Sequence, residues 1–173
     1  MFYFFHGSSL ESFQNICKMG YIYGTAYLSE EDQKKYVRGT SSLAHVYTNI
    51  FIDDMVLDER ETGGFGSITF LIDPIILWYK KCYFNVEWGG GVHEKSILMN
   101  KHIPEVLDLV RKAYRYPHIT SHEALFNKRI SMKYVWGIVC NHATDKPMVR
   151  EYLDRYGYSN VKIYDRFPYT IRE

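Results

Sequence analysis

Cysteine is scarce in this sequence, and long apolar runs are absent. The chain has 173 residues and three cysteines, Cys17, Cys82 and Cys140, which are far apart and form no CxxC pair. An odd number of scattered cysteines argues against a disulfide framework and predicts a reducing, cytoplasmic compartment. No apolar run approaches the roughly 20 residues that a membrane span requires. The apolar start, Met1–Phe5, is too short for a secretory signal. We therefore expect no membrane partner.

The sequence also lacks a strong net charge and a phosphate-binding loop. With 21 Lys and Arg against 20 Asp and Glu, the formal net charge is +1, which gives no general reason to expect a polyanionic partner. The glycine-rich stretch Gly63–Gly66 is not followed by Lys and then Ser or Thr, so it does not match a nucleotide-binding P-loop. Any nucleotide chemistry must therefore rest on other residues.

Charge is nonetheless distributed unevenly along the chain. Residues 1–100 contain 8 basic and 12 acidic residues, a net −4, whereas residues 101–173 contain 13 and 8, a net +5. Part of the basic excess lies at Arg111, Lys112, Arg115, Lys128, Arg129 and Lys133. Such clustering is typical of a solvated helix face, and a nucleic-acid-facing surface is the alternative.

Local signals predict an α+β fold. We expect a strand at residues 2–6, a helix that Ser8 or Ser9 caps and Gly20 ends, a short strand within residues 21–28, and a second helix capped by Ser29. Further strands are predicted at residues 67–73, 82–86, 92–99, 134–140 and 161–164, and helices at residues 104–116 and 148–156. Because strands outnumber helices and several connections are too short for crossover helices, the pattern favours mostly antiparallel sheets in a single domain, residues 1–173.

Three short motifs are candidates for chemistry. His6-Gly7-Ser8 follows the first strand, where a glycine lets a ligand approach the backbone. Tyr27 is expected at the end of a strand just before a helix, and Glu94 at the start of a strand, soon after three glycines. Each motif alone also has an ordinary explanation as a turn histidine, a strand-end aromatic or a solvated glutamate. Their order along the chain is the more specific signal.

In this order the motifs resemble the ADP-ribosyltransferase superfamily, in particular its His-Tyr-Glu branch, which includes poly(ADP-ribose) polymerases and diphtheria-toxin-like enzymes. The stretch His6–Gly20 is similar to that branch's first strand, which ends in His-Gly-Ser, and the helix after it. Ala26–Asp32, with Tyr36 beyond it, is similar to the tyrosine motif, and Val92–Met99 to the glutamate strand. Val92–Val106 is also similar to DarT toxins, a DNA-modifying branch. The resemblance implies a split antiparallel β-sheet core with flanking helices.

The resemblance implies that the His-Gly-Ser motif binds NAD⁺. His6 is expected to hydrogen-bond a ribose hydroxyl in the adenosine half of NAD⁺. The backbone N–H and C=O of Gly7 are expected to pair with the nicotinamide carboxamide, which requires the absence of a side chain. Ser8 completes this expected cofactor-binding group.

Aromatic rings and a carboxylate complete the site that the resemblance implies. Tyr27 and Tyr36 would stack on the nicotinamide ring, although the family usually places its second tyrosine about two positions after that of Tyr36. Glu94 would accept a hydrogen bond from the 2′-hydroxyl of the nicotinamide ribose and stabilise the oxocarbenium-like transition state. It would also help to deprotonate the incoming nucleophile. The expected catalytic residues are therefore His6, Tyr27 and Glu94, with NAD⁺ as a substrate and no metal.

These expectations lead to a mono-ADP-ribosyltransferase. The chain is short and lacks long inserts between the motifs, which favours transfer of one ADP-ribose unit to a macromolecule, either a nucleic acid or a protein. Size and family analogy point to a monomeric bacterial toxin or phage effector, with a neutralising antitoxin among its candidate partners.

Four alternatives remain beside this interpretation. An NAD⁺ glycohydrolase would use the same site with water as acceptor, and an inactive NAD-binding module would keep the fold, although all three motif residues are retained here. An RNA 2′-phosphotransferase shares the fold, but the first strand lacks its Arg/His pattern. His118 and His122 have the spacing of two metal ligands on a helix, but no third ligand pattern accompanies them.

Overall fold

A computed structural model describes residues 2–36, 44–52, 66–85, 92, 94–99, 108–109 and 123–166 of the chain. The chain divides into two compact units. The first unit contains Met1–Tyr21, Phe51–Asp73 and Ser131–Glu173, and the second contains Ile22–Ile50 and Pro74–Ile130.

Short strands account for most of the regular structure. The strands are Phe2–Ser8 (β1), Tyr21–Tyr23 (β2), His45–Ile52 (β3), Ile68–Ile72 (β4), Cys82–Asn85 (β5), Ile97–Met99 (β6), Glu123–Asn127 (β7), Arg129–Ser131 (β8), Val135–Cys140 (β9) and Lys162–Tyr164 (β10). The α-helices are Leu10–Met19 (α1), Glu30–Tyr36 (α2) and Lys146–Arg155 (α3). Short 3₁₀ helices lie at Thr25–Tyr27, Pro74–Trp78, Met132–Tyr134 and Ala143–Asp145.

The first unit is built on β10, β9, β4 and β1, which are neighbours in that order. β4 pairs antiparallel with both β1 and β9, whereas β10 runs parallel to β9. All five residues of β4 are buried, as expected for a strand with a neighbour on each side. Phe70 of β4 lies 5.9 Å, centroid to centroid, from Phe13 of α1, so this helix covers one face of the strands.

Helix α1 begins and ends where its local signals predict. The backbone N–H of Ser12 donates to the Oγ of Ser9, which caps the N-terminus, and Gly20 donates to the carbonyl of Ile16 at the C-terminus. The apolar residues that recur at helical spacing are buried: Phe13, Ile16 and Cys17. The prediction of this helix and of both its ends is confirmed.

The second unit is built on β3, β7, β5 and β6, which are antiparallel neighbours in that order. Its interior contains polar side chains as well as apolar ones. The hydroxyl of Thr48 donates to the carbonyl of Ala124 at 2.7 Å. The buried Asn85 lies 3.4 Å from the carboxylate of Glu123 and accepts a hydrogen bond from Ser96 at 2.6 Å. These bonds satisfy buried polar groups that would otherwise destabilise the sheet.

The α+β class with mostly antiparallel sheets and few helices is confirmed. Three strands were not predicted: β3, β7 and β8. The predicted helix at residues 104–116 lies outside the described residues, apart from residues 108–109. No helix of the described residues is long and apolar enough to cross a membrane. That residues 1–173 form one domain stays a prediction.

Candidate functional site

In the first unit, the His-Gly-Ser motif lies within β1 and does not follow it. The strand continues to Ser8, so the predicted end of the strand at His6 is wrong. The reason is that Gly7 and Ser8 still pair with Thr69 and Ile68 of β4. His6 is half-buried and its ring lies 6.4 Å from that of its partner Phe70. The imidazole is therefore held against the apolar side of the strand.

Gly66 fixes the end of β1 through a close backbone contact. Its φ is 87°, in the left-handed region that favours glycine. A Cβ at this position would lie 2.5 Å from the carbonyl oxygen of Ser8. Asn141 holds Gly66 and Ser67 in place, because its side chain donates to the carbonyl of Gly66 and its backbone N–H to that of Ser67. In the sequence, Gly66 was only part of a glycine-rich turn, and Asn141 carried no signal.

A buried hydroxyl lies directly opposite Gly7. Thr69 is completely buried, and its Oγ1 has no hydrogen-bond partner among the described residues. Leaving a buried hydroxyl unpaired costs about 1–3 kcal/mol. Side chains at paired positions lie on the same face of a sheet, but Gly7, the partner of Thr69, contributes none. The contact between the Gly7 backbone and the carboxamide of a ligand stays a prediction.

In the second unit, Tyr27 lies on a 3₁₀ helix and not at the end of a strand as predicted. β2 stops at Tyr23, and after the extended Gly24, whose N–H donates to the carbonyl of Lys128, the chain enters the 3₁₀ helix. The Tyr27 side chain is 44% exposed, and the Nζ of Lys128 lies 5.5 Å from the centroid of its ring. Tyr27 therefore presents an accessible aromatic ring beside a cation.

Helix α2 begins at Glu30, immediately after the predicted cap Ser29. The Oγ of Ser29 accepts from the backbone N–H of Asp32 at 3.2 Å and donates to the Asp32 carboxylate at 2.8 Å, which is a reciprocal cap. Gln33 reaches back to the carbonyl of Leu28 at 3.0 Å and so ties the helix to the segment before it. The helix ends at Tyr36, whose role as a second stacking residue stays a prediction.

Glu94 lies in an exposed turn, three residues before β6. The prediction that it opens a strand is wrong, because pairing with β5 begins only at Ile97. The chain after this turn is nevertheless anchored, since Ser96 donates to the buried Asn85, which itself contacts Glu123. Asn85 and Glu123 are buried polar residues that the sequence analysis missed, because their partners are distant in the sequence.

The described residues thus place the predicted site in two parts. The first unit contains His6, Gly7 and Ser8, and the second contains Tyr27, Tyr36 and Glu94. No group of three or more His, Cys, Asp or Glu side chains that could hold a metal ion is found in the described ranges. His118, His122 and the basic residues at positions 111, 112 and 115 lie outside them.

Comparison with solved structures identifies the fold as that of the DarT ADP-ribosyltransferases. DarT from Thermus sp. 2.9 in complex with carba-NAD⁺ matches with a TM-score of 0.67 and 11% identity, over 96% of each chain. The same protein in complex with ADP-ribosylated ssDNA matches at 0.65 and 11%, over 96% of this chain and 95% of that one. DarTG from Thermosipho africanus in complex with ADP-ribose matches at 0.57 and 9%, over 93% and 49%. The resemblance to DarT is confirmed for the fold, and the assignment to the His-Tyr-Glu branch stays a prediction.

Sequence comparison places the chain in a defined family. A family model matches residues 1–128, and the chain belongs to that family, the Family of unknown function (DUF5846). A relative, Uncharacterized protein R11 of Acanthamoeba polyphaga mimivirus, is 27% identical over 159 residues. That match covers 82% of this chain and 56% of R11, so the chain spans little more than half the length of this relative.

Proposed function

We propose that this protein is an NAD⁺-dependent ADP-ribosyltransferase that modifies nucleic acid. The observation that carries the proposal is the similarity to DarT over 96% of both chains, because DarT forms complexes with carba-NAD⁺ and with ADP-ribosylated ssDNA. The motif order of the sequence supports the same reaction independently of the fold. Identity of 11% shows the fold alone, so the reaction and the acceptor are our inference.

The residues of the first unit would hold the adenosine ribose and the carboxamide of NAD⁺. His6 is half-buried against Phe70, which limits its rotation and suits a residue that positions a ribose hydroxyl. Gly7 lies opposite the buried hydroxyl of Thr69, and Gly66 sets the backbone of Ser8. His6, Gly7 and Ser8 are all part of a paired strand, so little backbone conformational entropy would be lost when the ligand binds.

The residues of the second unit would act on the nicotinamide ribose. Tyr27 has an exposed ring for stacking, and the exposed Glu94 carboxylate would stabilise the positive charge that develops at C1′. The bond between C1′ and the nicotinamide nitrogen breaks, and nicotinamide leaves with the bonding electrons. A nucleophile of the nucleic acid then bonds to C1′, and Glu94 accepts its proton.

The biological setting is a further part of the proposal. We place the protein in a reducing cytoplasm as a monomeric toxin or phage effector, with a neutralising antitoxin as its partner. The three buried, free cysteines are compatible with that compartment. An NAD⁺ glycohydrolase and an inactive NAD-binding module are the competing functions.

Transfer of label from NAD⁺ tests the proposal. The protein is incubated with labelled NAD⁺ and, separately, single-stranded DNA, single-stranded RNA or a nuclease-treated protein lysate. Glu94→Gln should reduce transfer about 100-fold or more while NAD⁺ binding survives. Glu151→Gln is the matched control, because Glu151 is exposed on α3 and pairs only with Arg155 within the described residues.

The outcomes separate the competing functions. Label on a nucleic acid that is lost in Glu94→Gln supports the transferase, whereas release of free ADP-ribose alone identifies a glycohydrolase. No release of nicotinamide under any condition would refute the proposal and identify a binding module. In parallel, His6→Ala should weaken NAD⁺ binding by calorimetry, and His142→Ala, at an exposed histidine of the same unit, should not.

A further inference from the structure

Three cations meet at the turn between β7 and β8 in the second unit. The ammonium of Lys80 donates to the carbonyl of Arg129 at 2.5 Å and approaches that of Asn127 at 3.4 Å. Lys128 lies between those two residues in the chain. Burial lowers the pKa of Lys80, and the positive charges of Arg129 and Lys128 lower it further, so the three charges lie close enough to interact. We call Lys80, Lys128 and Arg129 the basic turn.

The backbone of Lys128 has an unfavourable conformation that the neighbouring chain enforces. Its φ of 69° lies in the left-handed region, where a lysine is uncommon. Its N–H donates to the carbonyl of Ala44 and its carbonyl accepts from Gly24, each at 2.9 Å. Strained residues held by such over-determined contacts cluster at functional sites. Lys128 is exposed, and within the described residues it forms no ion pair.

Two tyrosine rings lie beside the basic turn, and two more aromatic residues precede Lys80 in the chain. The Lys128 ammonium lies 5.5 Å from the centroid of the Tyr27 ring, and the Arg129 guanidinium lies 6.0 Å from that of Tyr23 and donates to its hydroxyl at 3.3 Å. Trp78 and Tyr79, which immediately precede Lys80, are 57% and 70% exposed.

The exposure of Trp78 and Tyr79 is imposed by the fold. Trp78 is the last residue of a 3₁₀ helix and Tyr79 follows it. Ile76 and Leu77 of that helix are buried, so it cannot rotate to hide the two rings. The N–H groups of Tyr79 and Lys80 both donate to the carbonyl of Ile76, which fixes the turn. Large apolar rings that a fold presents to solvent mark an interaction surface.

We propose that the basic turn, together with Trp78 and Tyr79, binds a single strand of nucleic acid and delivers it as the acceptor. Cations attract the phosphates, and exposed rings stack on unpaired bases, which is the combination that single-strand-binding proteins use. A duplex keeps its bases stacked inside and gains only the charge contacts. That the bound strand is the acceptor rests on the proposed function, but the binding itself can be measured without NAD⁺.

Fluorescence anisotropy with labelled oligonucleotides tests the surface. Single-stranded DNA, single-stranded RNA and a DNA duplex of equal length are titrated without NAD⁺. Trp78→Ala and Tyr79→Ala should each weaken single-strand binding about fivefold or more. Lys128→Asn keeps a residue that tolerates positive φ, and it should reduce the slope of log affinity against log salt by about 0.7. Lys162→Asn, at an exposed lysine of the first unit, is the matched control and should change neither quantity.

The two proposals fail in different ways. Absence of single-strand binding, equal binding of the duplex, or binding that Trp78→Ala, Tyr79→Ala and Lys128→Asn leave unchanged would each overturn the inference. Preference for DNA or for RNA supports it and identifies the acceptor. If the single strand binds through these residues but nicotinamide is never released, the surface stands and the proposed function falls. Nicotinamide release without an acceptor should be unchanged in Trp78→Ala, because Trp78 is not a proposed NAD⁺ contact.

Discussion

Substitution of Gly66 by alanine should weaken both the fold and NAD⁺ binding. Two features of this position oppose a side chain. Its φ of 87° is strained for any residue with a Cβ, and the new methyl group would lie 2.5 Å from the carbonyl oxygen of Ser8 and 3.0 Å from its carbonyl carbon. The Ser8 backbone cannot easily move away, because Ser8 is paired with Ile68 of β4.

A second glycine, Gly157, separates the backbone strain from the steric contact. Its φ of 83° is nearly the same as that of Gly66, but a Cβ there would meet nothing within 4 Å. Gly157→Ala should therefore cost only the backbone strain, about 1 kcal/mol. Gly66→Ala should cost that strain and an overpacking penalty of about 1–3 kcal/mol, so about 2–4 kcal/mol in total. Both variants should still fold, since domains of this size are stable by about 5–15 kcal/mol.

Urea unfolding of the two variants and the parent measures the difference. The free energy of unfolding should fall more in Gly66→Ala than in Gly157→Ala, with unchanged denaturant slopes. Calorimetric NAD⁺ affinity should drop in Gly66→Ala, because a displaced Ser8 carbonyl moves Gly7 beside it, and should be unchanged in Gly157→Ala. Equal destabilisation by the two substitutions would refute the close contact between Gly66 and β1, and an unchanged NAD⁺ affinity in a destabilised Gly66→Ala would remove this end of β1 from the binding site.

Burial and backbone geometry carry three more predictions. Burial lowers the pKa of His45 below the ordinary value of 6.5. Because the unfolded chain then binds more protons than the folded protein, stability should be lost as the pH falls from 6.5 towards the lower folded pKa. Urea unfolding at two pH values should show a smaller loss of stability in His45→Gln than in the parent, and an equal loss would exclude His45 as the cause. Burial raises the pKa of Cys17 and Cys82 to about 12 and that of Cys140 to about 11. A thiol reagent at pH 8 should therefore modify all three cysteines only after denaturation. Rapid reaction of the native protein would contradict their burial. Lys128→Gly places glycine at a φ of 69°, which is unfavourable for lysine. The free energy of unfolding, from thermal unfolding, should therefore rise by up to about 1 kcal/mol. A lower value would show that the lysine side chain contributes to the fold.

Elements whose signals are local could be predicted from the sequence, and those that depend on distant partners could not. Helix α1 carries its own cap, its own end and an apolar stripe, so Ser9 and Gly20 were sufficient to define it. Strand β7 has the sequence Glu-Ala-Leu-Phe-Asn, which contains good helix formers. It is a strand because β3 and β5 pair with it on either side, with Thr48 bonded to the carbonyl of Ala124. Tertiary pairing overrides local propensity there.

The same distinction applies to the candidate site. The order of the His, Tyr and Glu motifs pointed to a fold that the comparison with DarT confirms. The placement of Tyr27 and Glu94 was wrong in detail, because the 3₁₀ helix at Thr25–Tyr27 and the late pairing of Ile97 shorten both predicted strands. Lys128 and Arg129 already belonged to the basic excess of the sequence, with a nucleic-acid-facing surface as one interpretation, but Lys80 did not, since its bond to Arg129 joins residues 49 positions apart.

Tyr27 connects the two proposals. It is the predicted stacking partner of nicotinamide, and the ammonium of Lys128 in the basic turn lies over its ring. Both Tyr27 and the exposed Glu94 belong to the second unit, as do Trp78 and Tyr79. One compact unit therefore contains both the groups that would bind an acceptor strand at the basic turn and the groups proposed to act on the nicotinamide ribose. Holding a nucleophile and a catalytic carboxylate on the same unit reduces the entropy lost in bringing them together, which favours transfer to a bound strand over hydrolysis by water.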